Sequence, residues 1–349
     1  METILSIDLG KNKSVACIFD KKSFNAKFKT IKTTAAVLRE LVDKVKPDIV
    51  LFEVGSSAGW IADMLNDMSV PFKVANTNHP AWKWRNNSKK TDRDDAYRMV
   101  TMYLNNSLPT VYIPNKEVRQ KRSLVNYRQS LVGRITQSKN TIRSILSSVD
   151  ISMPSGKKGW SQKSLEELKK IAINIQEIGS DEDFWQGELY AELEVLEKLC
   201  EQLKNITAKL NSLAEKDENI QLIKTIPGVG NRVAEAVVAI LDDPHRFKSA
   251  KQVGSYAGLV PRCYQSGQME KNGRITRQGD SLIRALLVQV SWLGLRYEWM
   301  REIFDRVQKG SKSRNKIAIV ALARHILVRC WAMLRDGSKW HGSVAMVKK

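Results

Sequence analysis

The sequence predicts an α/β domain at the amino terminus, a helical hairpin or coiled coil in the middle and a mainly helical C-terminal domain. Three observations predict it. Five short strands and intervening amphipathic helices can be read between residues 3 and 104. Residues 117 to 213 carry two apolar stripes at helical spacing, separated by a turn-rich break. Beyond residue 220, a Gly-Val-Gly turn leads into a series of apolar helical stretches. A chain of 349 residues is too long for one small core, and we divide it into domains at 1–110, 111–220 and 221–349.

The first domain opens with an alternating, β-branched run from Thr3 to Leu9, a turn at Gly10-Lys11-Asn12, a second strand from Ser14 to Phe19 and a third from Ala26 to Ile31. Short polar connections make these an antiparallel meander. Thr33 or Thr34 caps a helix with Val37, Leu38, Leu41, Val42 and Val45 on one side. Asp48 to Glu53 is a continuous apolar run ending in an acid, which suits a central parallel strand. A second helix through Trp60, Ile61, Met64 and Leu65 follows, then a fifth strand, Phe72 to Ala75, and a helix from Thr91 or Asp92 to Leu104. The order β-β-β-α-β-α-β-α is that of an RNase H-like fold.

Acids fall at particular points of that order. Asp8 ends the first strand and Glu53 the fourth, and the topology makes these two strands neighbours. Asp92 and Asp95, three apart in the first turn of the third helix, share one helical face, whereas Asp94 points elsewhere. Carboxylates this close repel unless a cation or proton lies between them. Asp8, Glu53, Asp92 and Asp95 are therefore expected to hold hard divalent cations, Mg²⁺ or Mn²⁺. Two ions about 4 Å apart can clamp the attacking and leaving oxygens of a phosphodiester.

Charge points to the same substrate class. Lys and Arg number 57 against 37 Asp and Glu, a net +20 at pH 7, and the expected partner is a polyanion. Nucleic acid is favoured over a membrane surface, because no apolar run is expected to approach a spanning helix. The chain enters a strand at once, with no signal peptide, and Cys17, Cys200, Cys263 and Cys330 form no CxxC pair, so reduced thiols in the cytoplasm are expected. Trp82, Lys83, Trp84, Arg85, Lys89 and Lys90 interleave indoles for stacking with cations for phosphates. The basic helix from Glu117 to Val149 adds Arg122 and Arg128, and Gly228 and Gly230 flank a helix-hairpin-helix turn whose backbone N–H groups can take a phosphate oxygen.

In chain order, Asp8, Glu53, the Lys90-Thr91-Asp92-Arg93-Asp94-Asp95-Ala96 box, a helical middle, Ile226-Pro227-Gly228-Val229-Gly230 and Gly258-Leu259-Val260-Pro261 with Gln265-Ser266-Gly267 resemble the DEDD transposases of bacterial insertion sequences. These belong to the type that uses a bridge RNA. The resemblance spans nearly the whole chain. It implies a Holliday-junction-resolvase type of RNase H-like domain, with Asp8, Glu53, Asp92 and Asp95 as the acidic tetrad. It also implies a C-terminal domain in which Ser266 is the nucleophile. It further implies donor and target DNA, a structured noncoding guide RNA, a homo-dimer or homo-tetramer, no membrane, and action in the bacterial cytoplasm at the nucleoid. No histidine lies near Ser266 in sequence, so assistance from the tetrad's metal is expected, with Arg262, Arg274 and Arg277 available to neutralise transition-state charge. Two other functions fit the same residues. One is a metal-dependent junction endonuclease with water as nucleophile; the other is a noncatalytic RNA/DNA-binding protein.

Overall fold

The computed structural model describes residues 3–82, 91–179, 184–266 and 269–347, with the backbone alone at 264–266 and 269–272. It divides into two compact units, Met1–Arg119 and Gln120–Lys349.

The first unit is a mixed α/β sheet with helices on both faces. In chain order it holds β1 (Thr3–Asp8), β2 (Lys13–Asp20), β3 (Asn25–Lys32), α1 (Ala35–Val45), β4 (Ile49–Glu53), α2 (Ala58–Asp67), β5 (Phe72–Ala75), α3 (Asp92–Leu104) and β6 (Thr110–Val111). The sheet order is β3-β2-β1-β4-β5-β6. β1, β2 and β3 form the antiparallel meander, while β4 runs parallel to both β1 and β5. β1 is buried on both faces, which explains its nearly unbroken apolar run. Leu5 and Ile7 pack with Leu38, Leu41 and Val42 of α1 and with Ile61, Met64 and Leu65 of α2. On the other face Ile4, Cys17, Phe19 and Leu51 pack with Ala96, Met99 and Val100 of α3. Thr34 is the N-cap of α1, while Thr33 donates to the Gly10 carbonyl at 2.8 Å and bonds the Ser14 hydroxyl, closing the β1–β2 turn. β6, antiparallel to β5, has only two residues and no alternation to announce it.

The second unit is mostly helical. α4 (Lys116–Ser148), whose first turn lies in the first unit, is followed by α5 (Gln162–Ile171) and α6 (Phe184–Lys216). Leu131, Ile135, Ile142 and Ile145 of α4 pack with Leu189, Leu193, Leu196 and Leu199 of α6, and Leu168 of α5 joins them. Ser138 meets Glu192 and Val125 lies with Leu210, so α4 and α6 are antiparallel, as their stripes require. α5 falls just beyond the expected break, started by Ser161, whose hydroxyl accepts from the Ser164 N–H.

The remainder comprises α7 (Glu218–Lys224), α8 (Asn231–Leu241), α9 (Ala250–Tyr256), the hairpin β7 (Pro261–Ser266) and β8 (Met269–Ile275), α10 (Ser281–Gly294), α11 (Glu298–Gln308) and α12 (Asn315–Asp336). α12 packs on α7, α8, α9, α10 and α11. Lys312–Asp336 is long and apolar enough, by length and composition, to cross a membrane, which corrects the expectation that no run reaches that length. Half of its apolar window is buried inside the unit, and a helix at the centre of a core must be apolar on most sides. Asp280 caps α10 by accepting from the Leu282 and Ile283 N–H groups. The segment after Asp336 is tied back to the unit: the Trp340 ring lies 4.7 Å from Trp299, and the Glu298 N–H donates to the Ala345 carbonyl at 3.0 Å.

Candidate active site

Strand register carries Asp8 and Glu53 together. β1 and β4 pair in parallel with Ile7 opposite Phe52, so the next step on each strand sets Asp8 beside Glu53 at the carboxyl ends. Both lie on the face shared by Ile4 and Leu51, which α3 covers. α3 packs on β1, β2 and β4 with its first turn carrying the other acids. Asp95 is only 5% exposed and Asp92, one turn earlier, is exposed. Thr91 starts the helix: its hydroxyl accepts from the Asp94 N–H at 3.2 Å and donates to the Asp94 carboxylate at 2.7 Å. Asp94 is thus consumed by the cap, leaving Asp92 and Asp95, and the positive helix end favours both. Ser6, two residues before Asp8 on the same face, is fully buried and its hydroxyl has no hydrogen-bond partner.

These are hard oxygen donors suited in chemistry to a divalent cation. Among the described residues, no three acidic, His or Cys side chains close into a group that could hold a metal ion. Strand register sets Asp8 and Glu53 at one sheet end, on the face that α3 covers. The two buried thiols, Cys17 and Cys330, are poor alternatives as nucleophiles. Burial pushes the Cys17 thiol up to about 11 and that of Cys330 up to about 12.

Several expected nucleic-acid contacts turn out to be structural. Trp82 is 7% exposed, packed in the α3 layer beneath the Arg98 guanidinium, 5.3 Å from the ring. Its indole is not open to a base, which corrects its assignment as a stacking group. Lys83, Trp84, Arg85, Lys89 and Lys90 lie outside the described residues. Arg128 is likewise corrected: it is 3% exposed and lies 2.7 Å from the equally buried Glu235 of α8, charge against charge without hydrogen-bond alignment. Arg122 donates to the Ala239 and Ile240 carbonyls in the last turn of α8, so its guanidinium is spent on a helix end. Both arginines bind α4 to α8.

The glycines of the α7–α8 turn differ. Gly228 has a φ of +89°, and a Cβ there would come within 2.9 Å of the Tyr297 ring, so this is a packing glycine. Gly230 is exposed at the N-cap of α8, with open space around its Cα. Ser266 ends β7 opposite Met269, at the tip of the β7–β8 hairpin, and Gly267 lies outside the described residues. Arg262 and Arg274 are exposed on the two strands of that hairpin, and Arg277, also exposed, follows it with a φ of +56°.

Sequence reasoning missed what holds the hairpin's base. Arg284 of α10 donates to the carbonyls of Ala257 (3.1 Å), Gln278 (2.8 Å) and Gly279 (3.1 Å). Gly258 and Gly279 are both left-handed, and a Cβ at Gly279 would lie 2.0 Å from the Tyr256 carbonyl oxygen. The signal was present as two glycines flanking the strands, but their crossing is a tertiary fact. Gly279→Ala is expected to destabilise the second unit by at least about 2 kcal/mol, from left-handed backbone strain and this collision, read as a lowered urea midpoint.

The chain matches two family models. One, for DEDD transposases of the IS110 type, covers residues 5–150; the other, for transposases of the IS116/IS110/IS902 family, covers residues 220–305. It is 27% identical over 345 residues to the transposase for insertion sequence element IS1111A of Coxiella burnetii, covering 95% of this chain and 89% of that one. It is 25% identical over 343 residues to the transposase for insertion sequence element IS1328 of Yersinia enterocolitica, covering 96% and 98%. A pilin gene-inverting protein of Moraxella lacunata is 32% identical over 138 residues, 39% of this chain and 41% of its own.

Proposed function

Since the chain belongs to the IS110 family of DEDD transposases, enzymes of DNA cleavage and strand transfer whose family implies a divalent metal and DNA substrates, we propose that it is an RNA-guided recombinase of an insertion sequence. In this reading the first unit is RNase H-like, as its sheet order supports, and Asp8, Glu53, Asp92 and Asp95 hold two Mg²⁺ ions. The observation that carries the reading is the placement of Asp8 beside Glu53 on the face covered by α3, whose first turn carries Asp92 and buried Asp95. The bound metal would supply charge neutralisation at the scissile phosphate.

Ser266 is the nucleophile. Its Oγ forms a bond to phosphorus while the bond to the 3′ oxygen breaks. The hydroxyl proton leaves to solvent, and the departing 3′ oxygen takes one up. The 5′ phosphate stays on Ser266 until a 3′ hydroxyl from another strand displaces the serine and restores its proton. Arg262 and Arg274, exposed on the same hairpin, and Arg277 after it neutralise charge at the phosphate. In this reading the acids of the first unit provide the metal ligands, Ser266 of the second unit provides the nucleophile, and the protein acts as a dimer or tetramer. The α7–α8 turn, with Gly230 exposed, serves as a helix-hairpin-helix contact to a nucleic-acid backbone. A structured noncoding RNA chooses the sites by base pairing, and the protein, at +20, holds backbone and shape.

The test is cleavage of labelled donor and target DNA by protein co-expressed with its element's flanking noncoding sequence. Cutting at defined positions that requires both the RNA and Mg²⁺ is expected. Sequence-defined cutting without the RNA overturns guidance, and cutting that survives EDTA overturns the metal site.

A further inference from the structure

The β2–β3 ribbon has features that the tetrad and Ser266 leave unused. Between residues 11 and 32 the chain carries Lys11, Lys13, Lys21, Lys22, Lys27, Lys29 and Lys32 against the single acid Asp20. β3 is the sheet edge, and α3 packs on β1, β2 and β4, so Phe28, Thr30 and Lys32 on the α3 side of β3 stay exposed. Register sets Lys13 directly opposite Lys32 on that side, and Asp8 opposite Val15, itself opposite Thr30. The lysine pair therefore lies one step beyond the Asp8 row, at the same sheet end. Like charges directly opposite each other in an antiparallel pair are unfavourable, and among the described residues no acid pairs with either.

Toward the other end of β3 the surface is aromatic. Phe28 is exposed beneath the Arg93 guanidinium of α3, 5.9 Å from its ring. Phe24 is 73% exposed with a left-handed φ of +50°, and its ring stands edge-on to Phe19 at 5.9 Å. Tyr97 of α3, also exposed, lies 6.2 Å from the same Phe19. Lysines alone would suit an edge strand that must avoid pairing with other chains. Exposed phenylalanines, one of them on strained backbone, do not serve that purpose.

We propose that this face of the β2–β3 ribbon, walled by Arg93 and Tyr97, binds a single strand of the DNA substrate and leads it to the acidic sheet end. Lys13 and Lys32 take phosphates next to the cleaved position, and Phe28 and Phe24 stack on unpaired bases further along. Only a single strand offers base faces to such rings. From residue 24 to residue 32 the platform runs about 26 Å, the reach of a few nucleotides. The direction of travel rests on the reading of Asp8 and Glu53 as the cleavage site; the binding surface itself does not.

The test uses the full chain and a fluorescently labelled single-stranded DNA, with labelled structured RNA in parallel, followed by anisotropy across a salt series. Lys13→Gln with Lys32→Gln is expected to weaken DNA binding about tenfold and to flatten the log–log salt slope by about 1.4, the value for two phosphates. Phe24→Ala with Phe28→Ala is expected to weaken binding at least about thirtyfold at an unchanged slope. Unchanged DNA affinity in both pairs overturns the proposal, as does a loss confined to the RNA. Cleavage by Asp8→Asn tests the acidic site separately: cutting at the wild-type rate removes that site, whereas the binding results for the lysine and phenylalanine pairs alone decide the surface.

Discussion

Asp8→Asn is expected to abolish strand cleavage and leave the protein folded. Asp8 ends β1 beside Glu53, on the face that α3 covers, and Asn keeps the shape of the side chain while removing one of four negative charges. Loss of a charged oxygen donor at a metal-assisted phosphoryl site is expected to lower the cleavage rate by about 10³-fold or more. Stability should move little or rise, by within about 1 kcal/mol, because the substitution relieves repulsion among acids that share a sheet end. Cleavage of labelled DNA and a thermal melt, run on the same preparation, check both halves. Unchanged cleavage with an intact fold would remove Asp8 from the site.

Arg128→Ala gives the largest expected loss of stability. Arg128 and Glu235 are each 3% exposed and join α4 to α8 inside the second unit. Removing the cation leaves a buried carboxylate without its 2.7 Å partner and with only the electrostatic attraction of Arg232, a change of about 3 kcal/mol. A urea denaturation monitored by circular dichroism should show the midpoint falling by a corresponding amount. Arg128→Met combined with Glu235→Leu is expected to recover most of the loss, since replacing both members of a buried pair with apolar groups removes the uncompensated charge. A double variant as unstable as Arg128→Ala would show that the pair contributes through packing and not through charge.

Much of the first unit was legible because its signals are local. β1 to β5 announce themselves by alternation or by unbroken apolar runs, and their order alone brings Asp8 to Glu53. The α4 and α6 stripes predicted their antiparallel pairing for the same reason. β7 and β8 did not show, since a run such as Pro-Arg-Cys-Tyr-Gln-Ser has neither apolar alternation nor a tight-turn dipeptide. Arg128 was misread as a surface cation although it occupies the apolar stripe, in the series Leu124, Arg128, Leu131, Ile135, Ser138 and Ile142. Its partner Glu235 is remote in sequence, so only the fold shows that the position is paired. Trp82 failed in the same way: tryptophan among cations reads as a stacking group, and its burial depends on where α3 lands.

The most direct test of the proposed chemistry looks for DNA attached to protein. Wild-type chain with its RNA, Mg²⁺ and 5′- or 3′-labelled DNA would be run on a denaturing gel beside Ser266→Ala, and the adduct digested and mapped by mass spectrometry. The predicted result is a protein-linked band carrying the 5′ phosphate on Ser266, absent from Ser266→Ala. Cleavage that yields a free 5′ phosphate and is untouched by Ser266→Ala would contradict the serine mechanism and assign the attack to water.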